Sequence, residues 1–216
     1  MHQPLAIIIG LTVSSSCLAS VVFDGDFDDA NWSLTTFQYG PNGGSGSASQ
    51  VVGGVPGTGT CRMVTNTCGS NNSGVWNLSM YTAFSYNPSA DGALTGVSFS
   101  IDSRYVNDLQ RVAFVVEQDN NFWRTGNFLN TASWVTYAIT STAAAFSAMD
   151  VDMPALPDFS ASGGVIRFGF LSNNSSSING YSTSGLYDNF VVNFVPSPAG
   201  LVVAGAVGLL PGRRRR

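Results

Sequence analysis

Four aspartates, Asp24, Asp26, Asp28 and Asp29, crowd one short stretch near the start of the chain. Calcium takes six to eight oxygens from carboxylates and carbonyls, so an acid-rich turn of this kind is a candidate metal site. It is not an EF-hand loop, because no glutamate follows at the required later position. The alternative is a set of solvated turn residues that cap strand ends. A second cluster is the run Gln118-Asp119-Asn120-Asn121-Phe122-Trp123-Arg124. The face of Trp123 offers a flat apolar platform for a sugar ring, with Gln118, Asn121 and Arg124 placed to meet its hydroxyls. Trp32, Trp76 and Trp134 are further platform candidates, but tryptophans of a β-sandwich are mostly core, and the alternating runs around Trp32 and Trp134 read that way. Glu117 and Asp119 share one face of a strand, at a spacing workable for the two carboxylates of glycoside cleavage, which stand about 5–10 Å apart. The alternative is an exposed strand end at a hairpin, and no catalytic residue is assigned. Cys61 and Cys68 are expected to form a disulfide across the loop between them, worth about 2–3 kcal/mol by loop closure. Two free thiols, or half of a metal site, are the alternatives.

Other chemistries are excluded. The one histidine, His2, lies in an N-terminal segment that reads as removable, so the remaining chain has no Ser-His-Asp, Cys-His or histidine–zinc site. There is no lysine, and Glu117 is the only glutamate. Long helices with solvated faces are therefore excluded. Four of the nine arginines form the terminal run Arg213 to Arg216, which leaves five against thirteen acids, a net of −8 for the rest. Such a body repels nucleic-acid phosphates.

The elements that must position these residues are short strands. Trp32 to Tyr39 alternates; Val97, Phe99 and Ile101 share one face; Val112 to Glu117 is a continuous buried run. Val135, Tyr137 and Ile139 oppose Trp134, Thr136 and Ala138, and Val165 to Leu171 and Tyr187 to Phe194 complete the series. Turn compositions separate them, among them Pro41-Asn42-Gly43-Gly44, Asp91-Gly92 and Asn173 to Gly180. Ala143 to Met149 is long enough for one helical turn. The pattern predicts an all-β, antiparallel sandwich of jelly-roll type over residues 20–194.

The two ends read as addresses. Residues 1–19 carry an apolar run, Leu5 to Val13, and a small-x-small site, Cys17-Leu18-Ala19, as in a signal peptide. A buried N-terminal strand is the alternative. At the other end, Pro196-Ser197-Pro198 precedes a short apolar helix over Ala199 to Leu210, and then Arg213, Arg214, Arg215 and Arg216. Twelve helical residues cover about 18 Å, short of a roughly 30 Å hydrocarbon core. The segment suits a transient membrane contact held by the arginines, with a buried C-terminal helix as the alternative. Residues 195–216 resemble the PEP-CTERM sorting signal, with Ser197 where that family has glutamate. The resemblance implies export in a Gram-negative-type bacterium, processing by signal peptidase and an exosortase-type enzyme, and delivery to the cell surface or the extracellular matrix.

The body resembles the jelly rolls of carbohydrate-binding modules. Phe23-Asp24-Gly25-Asp26-Phe27 with Trp32, Asp158-Phe159-Ser160, Gly163-Gly164, Arg167 to Phe170 and Tyr187-Asp188-Asn189-Phe190-Val191-Val192 carry the likeness. It implies a structural calcium where the first and last strands meet, held by a carboxylate of Asp188 and by backbone carbonyls near the opening Gly25-Asp26. With the acid-rich turn, the candidate ligands are Asp24, Asp26 and Asp188, and no other cofactor is required. The expected function is a non-catalytic surface or matrix protein. Binding of an exopolysaccharide and glycan cleavage are the alternatives.

Overall fold

The computed structural model describes residues 20–55 and 59–197; the signal-peptide reading, most of the sorting-signal reading, Pro198 and the four terminal arginines lie outside the described residues. In chain order the strands are β1 (Ser20–Asp24), β2 (Trp32–Tyr39), β3 (Gly44–Val52), β4 (Thr60–Cys68) and β5 (Gly74–Tyr81). One turn of helix, α1 (Pro88–Asp91), leads to β6 (Leu94–Tyr105), β7 (Arg111–Gln118), β8 (Asn121–Arg124), β9 (Phe128–Leu129) and β10 (Val135–Ser141). The chain closes with β11 (Ser147–Ala148), β12 (Ile166–Ser175) and β13 (Tyr181–Pro196). They form two antiparallel sheets. Sheet 1 runs β10-β6-β13-β4-β3 with β1 also on β13; sheet 2 runs β11-β8-β7-β12-β5-β2 with β9 on β7. Strands distant in sequence lie side by side, β4 beside β13 and β5 beside β12, as the jelly-roll expectation requires. No helix among the described residues is long and apolar enough to cross a membrane.

Because successive side chains of a strand point to opposite faces, the alternating apolar residues of both sheets meet between them. Phe99 and Ile101 of β6, Val112, Phe114 and Val116 of β7, Phe168 and Phe170 of β12, and Phe190, Val192 and Phe194 of β13 are all buried in this layer. Their rings interlock: Phe99 stacks on Phe114 at 4.9 Å between centroids, and Phe168 on Phe194 at 5.9 Å. The other end of the interior is polar. There Asn77 donates to Asn66 (2.5 Å), Asn66 donates to Asn174 (2.7 Å), and Tyr187 donates to Gln110 (2.5 Å).

One expectation fails here. Thr60 to Cys68 is a strand, not a loop, so Cys61 and Cys68 stand near the opposite ends of β4. Seven residues of strand separate them by about 23 Å, whereas a disulfide needs Cα atoms within about 7 Å. Both thiols are free and buried, and burial, with Asp188 nearby, pushes Cys61 up to about 11. Ala143 to Met149 makes one helical turn, as expected, a three-residue 3₁₀ turn over Ala143–Ala145 before β11.

Candidate functional site

The acidic opening is a folding device. One oxygen of Asp24 accepts the backbone N–H groups of Asp26 (3.1 Å) and Phe27 (2.8 Å), and the other accepts the indole N–H of Trp32 (2.7 Å). This holds the turn in which Phe27 takes a positive φ of 49° and stacks its ring on Trp32 at 4.7 Å. Asp28 caps the following 3₁₀ turn through the N–H of Ala30, and Asp29 pairs with the buried Arg62 at 3.1 Å. Asp26 is exposed, and its carbonyl accepts from Gln50 and Thr60. Asp188 is buried on the outer face of sheet 1, opposite Asp102 of β6. Its oxygens accept the N–H groups of Val55 and Asn189, and burial raises its pKa above the ordinary carboxylate value. Among the described residues, no three acids, cysteines or histidines gather closely enough to hold a metal ion. In this structure the oxygens of Asp24 and Asp188, two of the expected calcium ligands, accept backbone and indole N–H groups.

The tryptophans exchange roles relative to the sequence reading. Trp123 is 2% exposed, and its indole N–H donates to the carbonyl of Pro154 at 2.9 Å. The cause is register: β8 pairs Trp123 with Val116, a core residue of β7, so the ring faces inward and offers no platform. Trp134, read as core, is half-buried with the Arg104 guanidinium 5.5 Å from its ring, whereas Trp32 is core as expected. Gln118 is also buried. It latches the loop before β12, accepting the N–H of Asp158 and donating to the carbonyls of Asp158 and Gly164 (each 2.8 Å). Glu117 is paired at 2.6 Å with Arg167 across β7 and β12. Asp119 stands in the exposed β7–β8 turn, where it and Asn120 take φ values of 54° and 61°, a left-handed pair that suits a two-residue hairpin.

That turn carries one wall of a groove. About 590 Å³ lies between Phe37, Gln38, Tyr39 and Trp76 on one side and Asn120, Asn121 and Phe122 on the other, with Met149, Asp150 and Met153 above. Its rings are on the outer face of sheet 2. β2 pairs Phe37 with Trp76 and Tyr39 with Gly74, and Trp32 occupies the opposite face of the same strand. Phe37 and Tyr39 are each 41% exposed. Arg124 reaches the groove from beneath, its guanidinium 5.7 Å from the Trp76 ring, and Tyr39 meets Trp76 edge-on at 6.0 Å.

The sheet under the groove is strongly coiled. β2 and β8 are separated by β5, β12 and β7, which in a flat sheet places them about 19 Å apart. Yet the rings of Phe37 and Phe122 meet edge-to-face at 5.7 Å. Beneath them, Leu78, Met80, Ala113, Val115 and Leu171 form a second small core, each no more than 2% exposed, with Trp76, Phe122 and Met149 packed against it. Of the predicted ligand residues, Asn121 lines the groove and Arg124 touches its ring wall, while Gln118 and Trp123 do neither. Phe37, Tyr39, Gln38 and Asp150 were missed. The parity of β2 held a signal: with Trp32 inward, Phe37 and Tyr39 must point outward.

No protein-family model matches the chain, and no curated protein matches it. Several solved structures are similar to it. The family 11 carbohydrate-binding module of the Clostridium thermocellum cellulase Lic26A-Cel5E is 17% identical with a TM-score of 0.48, over 82% of this chain and 95% of that one. A family 11 module of the same organism, in complex with a β-1,3-1,4-mixed-linked tetrasaccharide, is 15% identical with a TM-score of 0.47, over 83% and 96%. The CBM22-1 xylan-binding domain of Paenibacillus barcinonensis Xyn10C is 12% identical with a TM-score of 0.44, over 87% and 99%.

Proposed function

We propose that this chain is an exported β-sandwich that binds carbohydrate in the groove between β2 and the β7–β8 turn, and acts at the cell surface or in the extracellular matrix. The groove carries the reading: half-exposed rings of Phe37, Tyr39, Trp76 and Phe122 stand beside the polar groups of Gln38, Asn120, Asn121 and Asp150. A sugar offers apolar C–H faces and a rim of hydroxyls, which such a wall matches by stacking and by amide hydrogen bonds. Binding is favoured over cleavage by the acids present. Among the described residues, Asp150 is the only carboxylate lining the groove, and Glu117 is committed to Arg167. Hydrolysis of a glycosidic bond needs two carboxylates on either side of it. Export rests on the readings of residues 1–19 and 195–216.

The test is affinity electrophoresis of the protein through gels containing soluble polysaccharides, the exopolysaccharide of its host among them, followed by titration calorimetry. At least one glycan retards the wild type, and Trp76→Ala weakens its binding about tenfold, since stacking of one ring contributes roughly 1 kcal/mol or slightly more. Binding that survives Trp76→Ala and Tyr39→Ala unchanged, or retardation by no glycan, overturns the reading. The export reading is checked by intact mass of the protein recovered outside the cell, expected to begin at Ser20.

A further inference from the structure

β10 ends the path of sheet 1. It pairs with β6 along all seven residues without a register shift, and among the described residues no strand pairs with its other edge. Backbone N–H and C=O groups along such an edge are a template for another strand, and sheets guard edges with lysine, proline, bulges or covering loops. β10 reads Val-Thr-Tyr-Ala-Ile-Thr-Ser and has neither a charge nor a proline. No Asp, Glu, Lys or Arg occurs from Thr125 to Met149, in a chain with thirteen acids.

The sandwich is also open at this edge. Val135 and Ile139 pair with Ser103 and Phe99 and share the core-side face with Tyr137, yet they are 39% and 38% exposed. Leu129 of β9, on the facing layer, is 52% exposed. Between the layers lies a cavity of about 310 Å³ lined by Phe114, Phe128, Tyr137 and Ile139 among others. Among the described residues, apolar side chains with the core-side parity of a strand are left here without a covering neighbour.

We propose that a second copy of this chain occupies the edge, its β10 antiparallel to the first about a two-fold axis at Ala138, so that sheet 1 continues across two molecules. This goes beyond carbohydrate binding and does not depend on it. The sequence of the strand is self-complementary in that register. Tyr137 stands opposite the partner's Ile139, Thr136 opposite the partner's Thr140, and Val135 opposite the partner's Ser141. Aromatic–β-branched and threonine–threonine pairs are favourable cross-strand neighbours. The register keeps Val135, Tyr137 and Ile139 of both copies on the core side, where each set covers the open mouth of the other. Two negatively charged copies meet with least repulsion along a stretch that bears no charge. The same patch serves both partners, as a two-fold interface requires.

The experiment is sedimentation velocity on the full chain from about 1 to about 100 μM, a range in which a micromolar dimer forms and dissociates. The wild type shifts from monomer to dimer. T136K/T140K, which sets lysine against lysine at two cross-strand pairs, stays monomeric, whereas T136K/T140E, which sets lysine against glutamate, dimerises again. Circular dichroism melts show that the variants are folded; should T136K/T140K not fold, A138K, which opposes a charge to itself on the axis, replaces it. A wild type that is monomeric throughout, a T136K/T140K dimer, or a T136K/T140E monomer overturns the proposal. So does a monomer whose β10 amides resist hydrogen exchange, which would mean that another segment of the same chain covers the edge.

Discussion

The two outer faces of the sandwich are built from the same antiparallel strands and end up unlike. On sheet 1 the exposed rows are hydroxyls that bond one another across strands: Thr65 with Ser184 (2.8 Å), Thr67 with Ser182 (2.7 Å) and Ser98 with Thr140 (2.8 Å). On sheet 2 the corresponding rows are Leu78, Met80, Val115 and Leu171, buried under rings that arrive from both sides of the sheet. A hydroxyl row is satisfied by itself and by water, so it stays solvated. An apolar row is not, and the sheet coils until its edges cover it. The groove is what remains between the covering rings, which is why aromatic surface is exposed beside amides on this face. Ligand binding and a hidden second core thus have one origin, apolar residues on the outward parity of sheet 2.

Five measurements break or sharpen this contrast. Leu171→Ala, in the second core, is expected to cost about 3 kcal/mol in urea unfolding, as buried large-to-small changes do. Phe122→Ala removes only a half-buried cover, and about 1–2 kcal/mol is expected, with a larger loss of glycan binding than of stability. Thr65→Ala on sheet 1 deletes one hydroxyl pair and should stay below about 1 kcal/mol. Equal losses for Leu171→Ala and Thr65→Ala would abolish the distinction between the faces.

The fourth measurement concerns pH. Asp188 is a buried acid of the sheet 1 face, opposite the buried Asp102, and burial raises its folded pKa above the unfolded value. The folded state therefore holds its proton to higher pH than the unfolded state does. Its stabilising effect is fully present below the unfolded pKa, near 3.8, and is lost as pH rises through the folded value. Asp188→Asn is expected to remove that falling segment from a plot of unfolding free energy against pH; an unchanged slope would show that Asp188 is not its source. The smallest effect is expected from reduction. With no disulfide, dithiothreitol leaves the melting temperature unchanged, and alkylation after denaturation labels both Cys61 and Cys68 without prior reduction.

The strands that alternate apolar and polar residues were legible. β2 runs from Trp32 to Tyr39 as its pattern indicates, and Val97, Phe99 and Ile101 face the core together. β4 was not, because its inward positions are partly polar. Arg62 and Asn66 are buried by hydrogen bonds to Ser79, Asn174 and Asn77, so no apolar period marks the strand. Its pairing with β13 joins residues more than a hundred positions apart, such as Thr65 and Ser184, and no local signal carries that.

By itself the sequence determined the class of structure and the chemistry withheld from it. Glycine-rich turns, alternating strands and the lack of lysine point to short strands packed in layers, and the one histidine, His2, leaves residues 20–197 without an imidazole. Only the tertiary structure decided which of the chemically able residues meet. Trp123 and Trp76 have the same ring, but pairing with Val116 turns one inward, while the outward parity of Phe37 places the other beside the groove. Cys61 and Cys68 are seven residues apart in either case, and only an extended backbone keeps them apart. Side-chain type is local information, whereas direction and distance are set by strand register and sheet curvature, which depend on partners far along the chain.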